Sequence, residues 1–348
     1  MRGKPLLLGM IVCVVLAGIG AGCSSPATPH ASRSARPDAL TDWRSFPWYR
    51  DTVPVLTYHG IGGEPSHLTV SHAQFMAQMA ALAAGGFHTL TMAQYLRFVR
   101  GDTKGLPSRP ILLTFDDGRQ DAYLVANPIL RSYRFHAVEF VVPGWVTANP
   151  GFSLSWGQIR AMNASGTWDV EEHFGYGHEY VPVNAAGDRG GVFGDLAYQP
   201  GPNGTTGQLE TFTHFRTRVG RNMLWGEVQL RDHLPAFRPL AAGLPQGAYG
   251  QGPSNSPLIA PFVLAWMRQH FDIVFGGDYL AGTLHEANRI PGRFSREVSY
   301  RFTMGPLETL PVLRCRLLDW IRNKPIGGEY HCLRLAGPGA SRAVNVAP

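Results

Sequence analysis

Two consecutive carboxylates, Asp116 and Asp117, stand at the end of an apolar run, Ile111-Leu112-Leu113-Thr114-Phe115, and directly before Gly118. That run has the length and character of a buried strand. Carboxylates at the end of a buried strand cost free energy unless something pairs with them or uses them. The plain alternative is an Asp-Gly turn in which one Asp caps the following helix. Further on, His173 and His178 follow the stretch Trp168-Asp169-Val170-Glu171-Glu172, with Gly175 and Gly177 between them. On a helix their spacing would set them about 140° apart around the axis, so they can converge only from a loop. The glycines permit that bend. Two loop histidines alone need share no purpose, but beside a strand-end Asp-Asp pair they point to one metal site.

The elements that must position these residues alternate. Strands are predicted at 53–58, 87–90, 111–115, 136–142, 168–172, 237–242 and 271–275. Helices are predicted from the caps Ser71, Thr91 and Ser155, and over 120–133, 209–234 and 258–269. Strand–helix alternation implies a parallel sheet covered on both faces, and the repeated unit fits a (β/α) barrel. Chemistry in such barrels lies at the carboxyl ends of strands, where Asp116, Asp117, His59 and His173 all fall.

The string Thr114-Phe115-Asp116-Asp117-Gly118 resembles the first motif of the polysaccharide deacetylases, the NodB-homology group known as carbohydrate esterase family four. The resemblance implies a distorted barrel of about seven parallel strands, Asp116 as general base and Asp117 as a metal ligand. Family members usually carry His-Ser/Thr-x-x-His. The branch acting on poly-N-acetylglucosamine has a His-Thr-x-x-x-His form, whose spacing is that of His173 and His178. Phe174 stands here for Thr, and Glu172 for the usual preceding Ser. By resemblance the metal set is Asp117, His173 and His178, holding zinc first, with cobalt or nickel also accepted. Pro245-Gln246-Gly247-Ala248-Tyr249-Gly250 resembles a groove-wall motif with Gln246 in its aromatic position, which implies an oxyanion contact from a backbone N–H near Gly247 or Tyr249.

The resemblance covers about 53–290. It implies hydrolytic removal of N-acetyl groups from an N-acetylglucosamine-containing envelope or exported polysaccharide. No Arg stands in the Pro-Gln-Gly motif to orient the base. The general acid has no clear match, since Leu284-His285-Glu286 is only superficially similar. Those gaps leave a second reading open, a carbohydrate-binding protein of little or no activity serving polysaccharide assembly or export. Two His and one carboxylate could also hold iron for oxygen chemistry, but the second Asp and the secretory context argue against it.

The amino terminus, basic at MRGKP and apolar over 6–22, has the pattern of a signal peptide. Ala21-Gly22-Cys23-Ser24-Ser25 resembles a bacterial lipoprotein processing site, with Cys23 as the lipidated residue. The expected organisation is a signal peptide over 1–23, a flexible tether over 24–50, a deacetylase domain over 51–300 and a carboxyl-terminal extension over 301–348. The location is then extracytoplasmic, with a lipid anchor in the cell membrane. A net charge of +6 spread along 348 residues suits an anionic envelope and provides no basic tract for nucleic acid. Cys315 and Cys332 remain for a disulfide in a compartment that permits one. A zinc site on that pair is disfavoured, because no CxxC spacing is present.

Overall fold

A computed structural model describes residues 41–146, 148–202, 205–252, 254–277, 298–322 and 330–336. Seven parallel strands form the main path of one curled sheet: β1 (Val55–Tyr58), β2 (Pro110–Asp116), β3 (Ala137–Val141), β4 (Trp168–Glu172), β5 (Ala241–Gly243), β6 (Ile273–Phe275) and β7 (Phe302–Thr303), and a short eighth strand, His88–Thr89, pairs with the start of β2. Their order in space is β6-β5-β4-β3-β2-β1-β7, so only the last strand crosses over, to pair with β1. A further bridge from Phe275 to Ser299 draws the two edges of this half-barrel together. The expected distorted (β/α) barrel of about seven strands is the fold observed.

The helices begin where side chains satisfy their first N–H groups. Ser71 accepts from the Gln74 N–H ahead of α1 (His72–Ala84). Thr91 and Ser155 form reciprocal capping boxes with Gln94 and Gln158 ahead of α2 (Met92–Val99) and α4 (Trp156–Ala164). Between them α3 (Asn127–Tyr133) is preceded by a π turn, Ala122–Ala126, instead of the continuous helix expected over 120–133. Pro128 lies at that junction and has no N–H to extend an α ladder. The remaining helices are α5 (Phe212–His233), α6 (Ile259–His270), α7 (Leu310–Ile321) and the single turn α8 (Tyr330–Leu333).

Alternation along β2 decides which way the site faces. Ile111, Leu113 and Phe115 pack outward with Phe75, Met79 and Leu82 of α1, whereas Leu112 joins Val55, Val138 and Phe275. Thr114 and Asp116 share the side of Leu112 and so point into the barrel. Beneath the strand ends, Phe115 stacks on Tyr58 at 5.3 Å and meets Trp168 edge-on at 5.0 Å. Each such pair contributes about 0.5–1.5 kcal/mol beyond its buried area, which stiffens the floor of the site.

Two expected boundaries are corrected by the packing. Trp43, Phe46 and Tyr49 are buried in the main core, so 41–50 belongs to the folded body and not to a tether. At the other end β7 lies in the sheet, and Leu313, Leu317 and Trp320 of α7 are buried in the same core. A domain ending at 300 would remove one edge of the barrel. The strand expected over 237–242 is shorter, because β5 meets β4 through the single pair Ala242 and Glu172. The Glu171 carboxylate supplies what the ladder lacks, accepting the N–H groups of Leu240 and Ala241 at 2.9 and 3.0 Å.

Candidate active site

Adjacent strand residues point to opposite faces, so Asp116 and Asp117 could not share a site without a turn. The turn is present: Asp117 has φ +81° and Gly118 φ +67°. Left-handed backbone at a non-glycine residue costs roughly 1–2 kcal/mol. Glu139 of β3 helps hold it, its Oε1 accepting the Gly118 N–H at 3.0 Å. As a result one oxygen of each carboxylate, Asp116 Oδ2 and Asp117 Oδ1, lies 3.7 Å from the same atom, His173 Nε2.

His173 leaves the end of β4 with its ring fixed. Its Nδ1 lies 2.7 Å from the Gly243 carbonyl, which can only accept, so Nδ1 carries the proton and Nε2 presents a lone pair. The next residue, Phe174, is left-handed at φ +62° and fully buried against Phe193 and Phe271. Buried there, the Phe174 side chain anchors the loop from below. The chain then returns at Gly177, where a Cβ would clash with Pro245 Cγ, and brings His178 Nε2 to 3.3 Å from Asp117 Oδ1. Behind the loop, the Glu172 oxygens have no hydrogen-bond partner, and burial pushes that carboxyl well above its usual range. Burial also lowers both imidazoles, His173 to about 3 and His178 to about 4, which keeps them neutral.

Asp117, His173 and His178 each offer one donor atom, all within 4.8 Å of one another. Asp117 Oδ1 is buried and takes no hydrogen bond, and burial raises its carboxyl while neighbouring His59 opposes the rise. A buried carboxylate oxygen facing imidazole lone pairs is unfavourable unless a proton or a cation lies between them. One carboxylate and two neutral imidazoles therefore fit a divalent cation with coordination positions left open.

The arginine missing from the Pro-Gln-Gly motif comes from elsewhere. Arg301, just before β7, grips Asp116 with both ends of its guanidinium, Nη1 to Oδ1 at 2.6 Å and Nη2 to Oδ2 at 2.8 Å. Its Nε donates to the Gly276 carbonyl at 3.0 Å, and its plane lies over Phe140 and Phe275. Burial alone would raise Asp116, but the Arg301 guanidinium prevails and holds it at about 2. His59, at the end of β1, is buried with Nε2 3.9 Å from Asp116 Oδ2. Asp121 holds the two loops together by accepting the Ile61 N–H at 3.0 Å. Sequence reasoning placed His59 at a strand end without giving it a role, and missed Arg301.

The other expected site residues divide. Gly247 and Gln246 lie in a short 3-10 turn, Pro245–Gly247, against the histidine loop. The Gly247 N–H donates within that turn to the Leu244 carbonyl at 2.9 Å. The Tyr249 N–H donates to Gln251 Oε1 at 2.7 Å, and Gln251 Nε2 donates in turn to the Gly247 carbonyl at 2.7 Å. Cys315 and Cys332 are joined by a disulfide. Cys23 and the Leu284-His285-Glu286 stretch lie outside the described residues.

A parallel half-barrel whose β2 and β4 ends gather Asp, Asp, His and His is the fold of the NodB-type deacetylases. Residues 103–187 match the polysaccharide deacetylase family. Poly-beta-1,6-N-acetyl-D-glucosamine N-deacetylase of Escherichia coli K12 is 25% identical over 189 residues, which are 50% of this chain and 27% of that protein. The enzyme of the same name from Staphylococcus aureus MSSA476 is 30% identical over 114 residues, 32% of this chain and 38% of that one. The chain thus spans well under half the length of either relative. Among solved structures, a de-N-acetylase of Aggregatibacter actinomycetemcomitans superposes with a TM-score of 0.60 at 20% identity, covering 73% of this chain and 95% of that one. Its fold is thus that of these deacetylases, and its residues 103–187 resemble their family.

Proposed function

We propose that the chain is a metal-dependent hydrolase that removes N-acetyl groups from an exported or cell-envelope polysaccharide containing N-acetylglucosamine. One observation carries this reading: a buried carboxylate, kept ionised by a forked arginine, stands 3.7 Å from the inner histidine of a three-donor metal set. The names of the relatives support an N-acetylglucosamine polymer as substrate.

Asp117, His173 and His178 would hold the ion, with zinc proposed and cobalt or nickel acceptable to the same donors. When bound, the ion supplies Lewis acidity, lowering the pKa of a water toward about 7 and polarising the acetyl carbonyl. Asp116 Oδ2 faces the donor set and accepts the water proton, while Arg301 fixes the carboxylate so that this oxygen stays aimed. His59, buried with its Nε2 3.9 Å from Asp116 Oδ2, is proposed to carry the proton that the departing amine needs. The Tyr249 N–H, which donates to a side chain and not to a backbone carbonyl, is the proposed donor to the developing oxyanion. Arg301 removes one ground for the binding-protein reading, since the base has its orienting cation after all.

The signal peptide and the lipid anchor at Cys23 belong to the same proposal and place the enzyme outside the cytoplasm. Cys23→Ala should release the protein from the membrane fraction or leave its precursor uncleaved. A wild-type protein free in the medium, beginning at another residue, would defeat the anchor. For the activity, the purified full chain is stripped of metal and assayed for acetate release from β-1,6-linked N-acetylglucosamine oligomers. Release that returns with zinc supports the enzyme. Binding of the oligomer with no acetate released under zinc, cobalt or nickel would move the reading to a carbohydrate-binding protein.

A further inference from the structure

A second group of metal-type donors lies in the carboxyl-terminal part, apart from the barrel mouth. Cys315 and Asp319 are one turn apart on α7, so their side chains share a helical face. His331 and Cys332 come from α8. The donor atoms of all four lie within 4.8 Å of one another. His331 Nε2 is 2.9 Å from Asp319 Oδ2 and 3.5 Å from each sulfur, and Cys332 Sγ is 3.5 Å from Asp319 Oδ2. A tetrahedral zinc ion, with bonds near 2.0 Å to N or O and 2.3 Å to S, has donor-to-donor edges of about 3.3–3.8 Å. Three of the six edges, at 3.5 Å, therefore already match a zinc tetrahedron, and the His331–Asp319 edge at 2.9 Å is somewhat short. The one edge far too short is sulfur to sulfur, because those two atoms are bonded.

We infer that Cys315, Asp319, His331 and Cys332 form a second metal site, for zinc or another thiophilic divalent ion, which the chain presents when the disulfide is reduced. A dithiol reductant delivers two electrons and two protons, its own sulfurs become bonded, and Cys315 and Cys332 become thiols. Both thiols then release their protons to solvent as the ion binds. Two thiolates and an imidazole favour zinc over magnesium or calcium. The absence of a CxxC spacing does not count against such a site, because its donors come from two facing helices. Disulfide and metal are alternative ways of pinning α8 to α7.

Cobalt is the discriminating probe, since Asp117, His173 and His178 include no sulfur. The metal-free full chain is titrated with Co²⁺ in its disulfide form and after reduction without oxygen. Thiolate-to-cobalt charge-transfer bands should appear only in the reduced chain, saturate at one ion per chain, and vanish when Zn²⁺ is added. Loss of a partner that merely supports a ligand weakens binding 10–100-fold, so losing a direct donor should cost at least about tenfold. His331→Ala, at a half-exposed position, and the near-isosteric Asp319→Asn should each do so, whereas His173→Ala should leave the bands unchanged. If reduction loosens the fold, zinc should restore its helical circular dichroism. No charge-transfer bands in the reduced chain, or bands unmoved by both His331→Ala and Asp319→Asn, would overturn the four-donor site.

Discussion

The two sides of the strand-end site are assembled in different ways. Asp116, Asp117, His173 and His178 come from two short stretches at the ends of β2 and β4. Their mutual geometry is set by local turns, the left-handed Asp117 and Phe174 among them. His59 and Arg301 arrive singly, from the end of β1 and the start of β7, and Arg301 lies 185 residues along the chain from the carboxylate it grips. The first side holds donors at fixed separations. The second governs charge and proton on a carboxylate that the first side has already placed. The geometry of the proposed ligands is thus encoded locally, whereas the state of Asp116, the proposed base, depends on closure of the barrel.

The largest effect should come from breaking the local side. His173→Ala removes the ring whose Nε2 faces both carboxylates, and metal content should fall from about one ion per chain to none. Acetate release should drop roughly a thousandfold or more, the several kcal/mol that a Lewis acid supplies. Elemental analysis beside a rate assay checks both, and equal metal in the variant and wild type would remove His173 from the ligand set.

On the closure side the metal should stay while the rate changes. His59→Gln keeps a polar group of similar reach that cannot cycle a proton, so turnover should fall on the order of a hundredfold with metal content unchanged. A rate within a factor of two of wild type would show that the amine takes its proton elsewhere.

Arg301→Lys is the finest cut. Lysine keeps the charge but cannot bridge both oxygens of Asp116, so a loss of about tenfold in turnover is expected. The pH profile gives the sign. Burial pushes Asp116 up and Arg301 pulls it down to about 2, so weakening the pair raises the pKa and moves the acid limb of the rate to higher pH. The same depression stabilises the fold above the unfolded carboxylate value near 3.9, and this contribution is lost as pH falls toward 2. The acid limb and the acid unfolding midpoint of Arg301→Lys should therefore both move upward. If neither moves, Arg301 does not govern the charge of Asp116.

What could be read from the sequence follows the same division. The Asp-Asp pair and the two histidines were legible because each lies within a few residues of its partner and next to a recognisable strand. The capped helices α1, α2 and α4 were legible because Ser71, Thr91 and Ser155 announce their starts. Arg301 was not, since β7 is only two residues long and pairs with a strand at the other end of the chain. Trp43, Phe46 and Tyr49 were hidden for a related reason: aromatic residues outside a regular element give no periodic signal, although the core buries all three. Nor was the turn bond from the Gly247 N–H to the Leu244 carbonyl legible, because which N–H a tight turn consumes depends on its backbone angles, and these leave no mark in the sequence.

Asp116→Asn tests the central claim most directly. Asparagine preserves the shape beside Arg301 and does not touch the proposed ligands, yet it cannot accept the water proton. The account predicts an unchanged metal content, an oligosaccharide affinity close to that of wild type, and acetate release reduced about a hundredfold or more. Metal lost together with activity would make Asp116 a ligand instead of the base. Activity retained at full metal content would contradict the mechanism altogether.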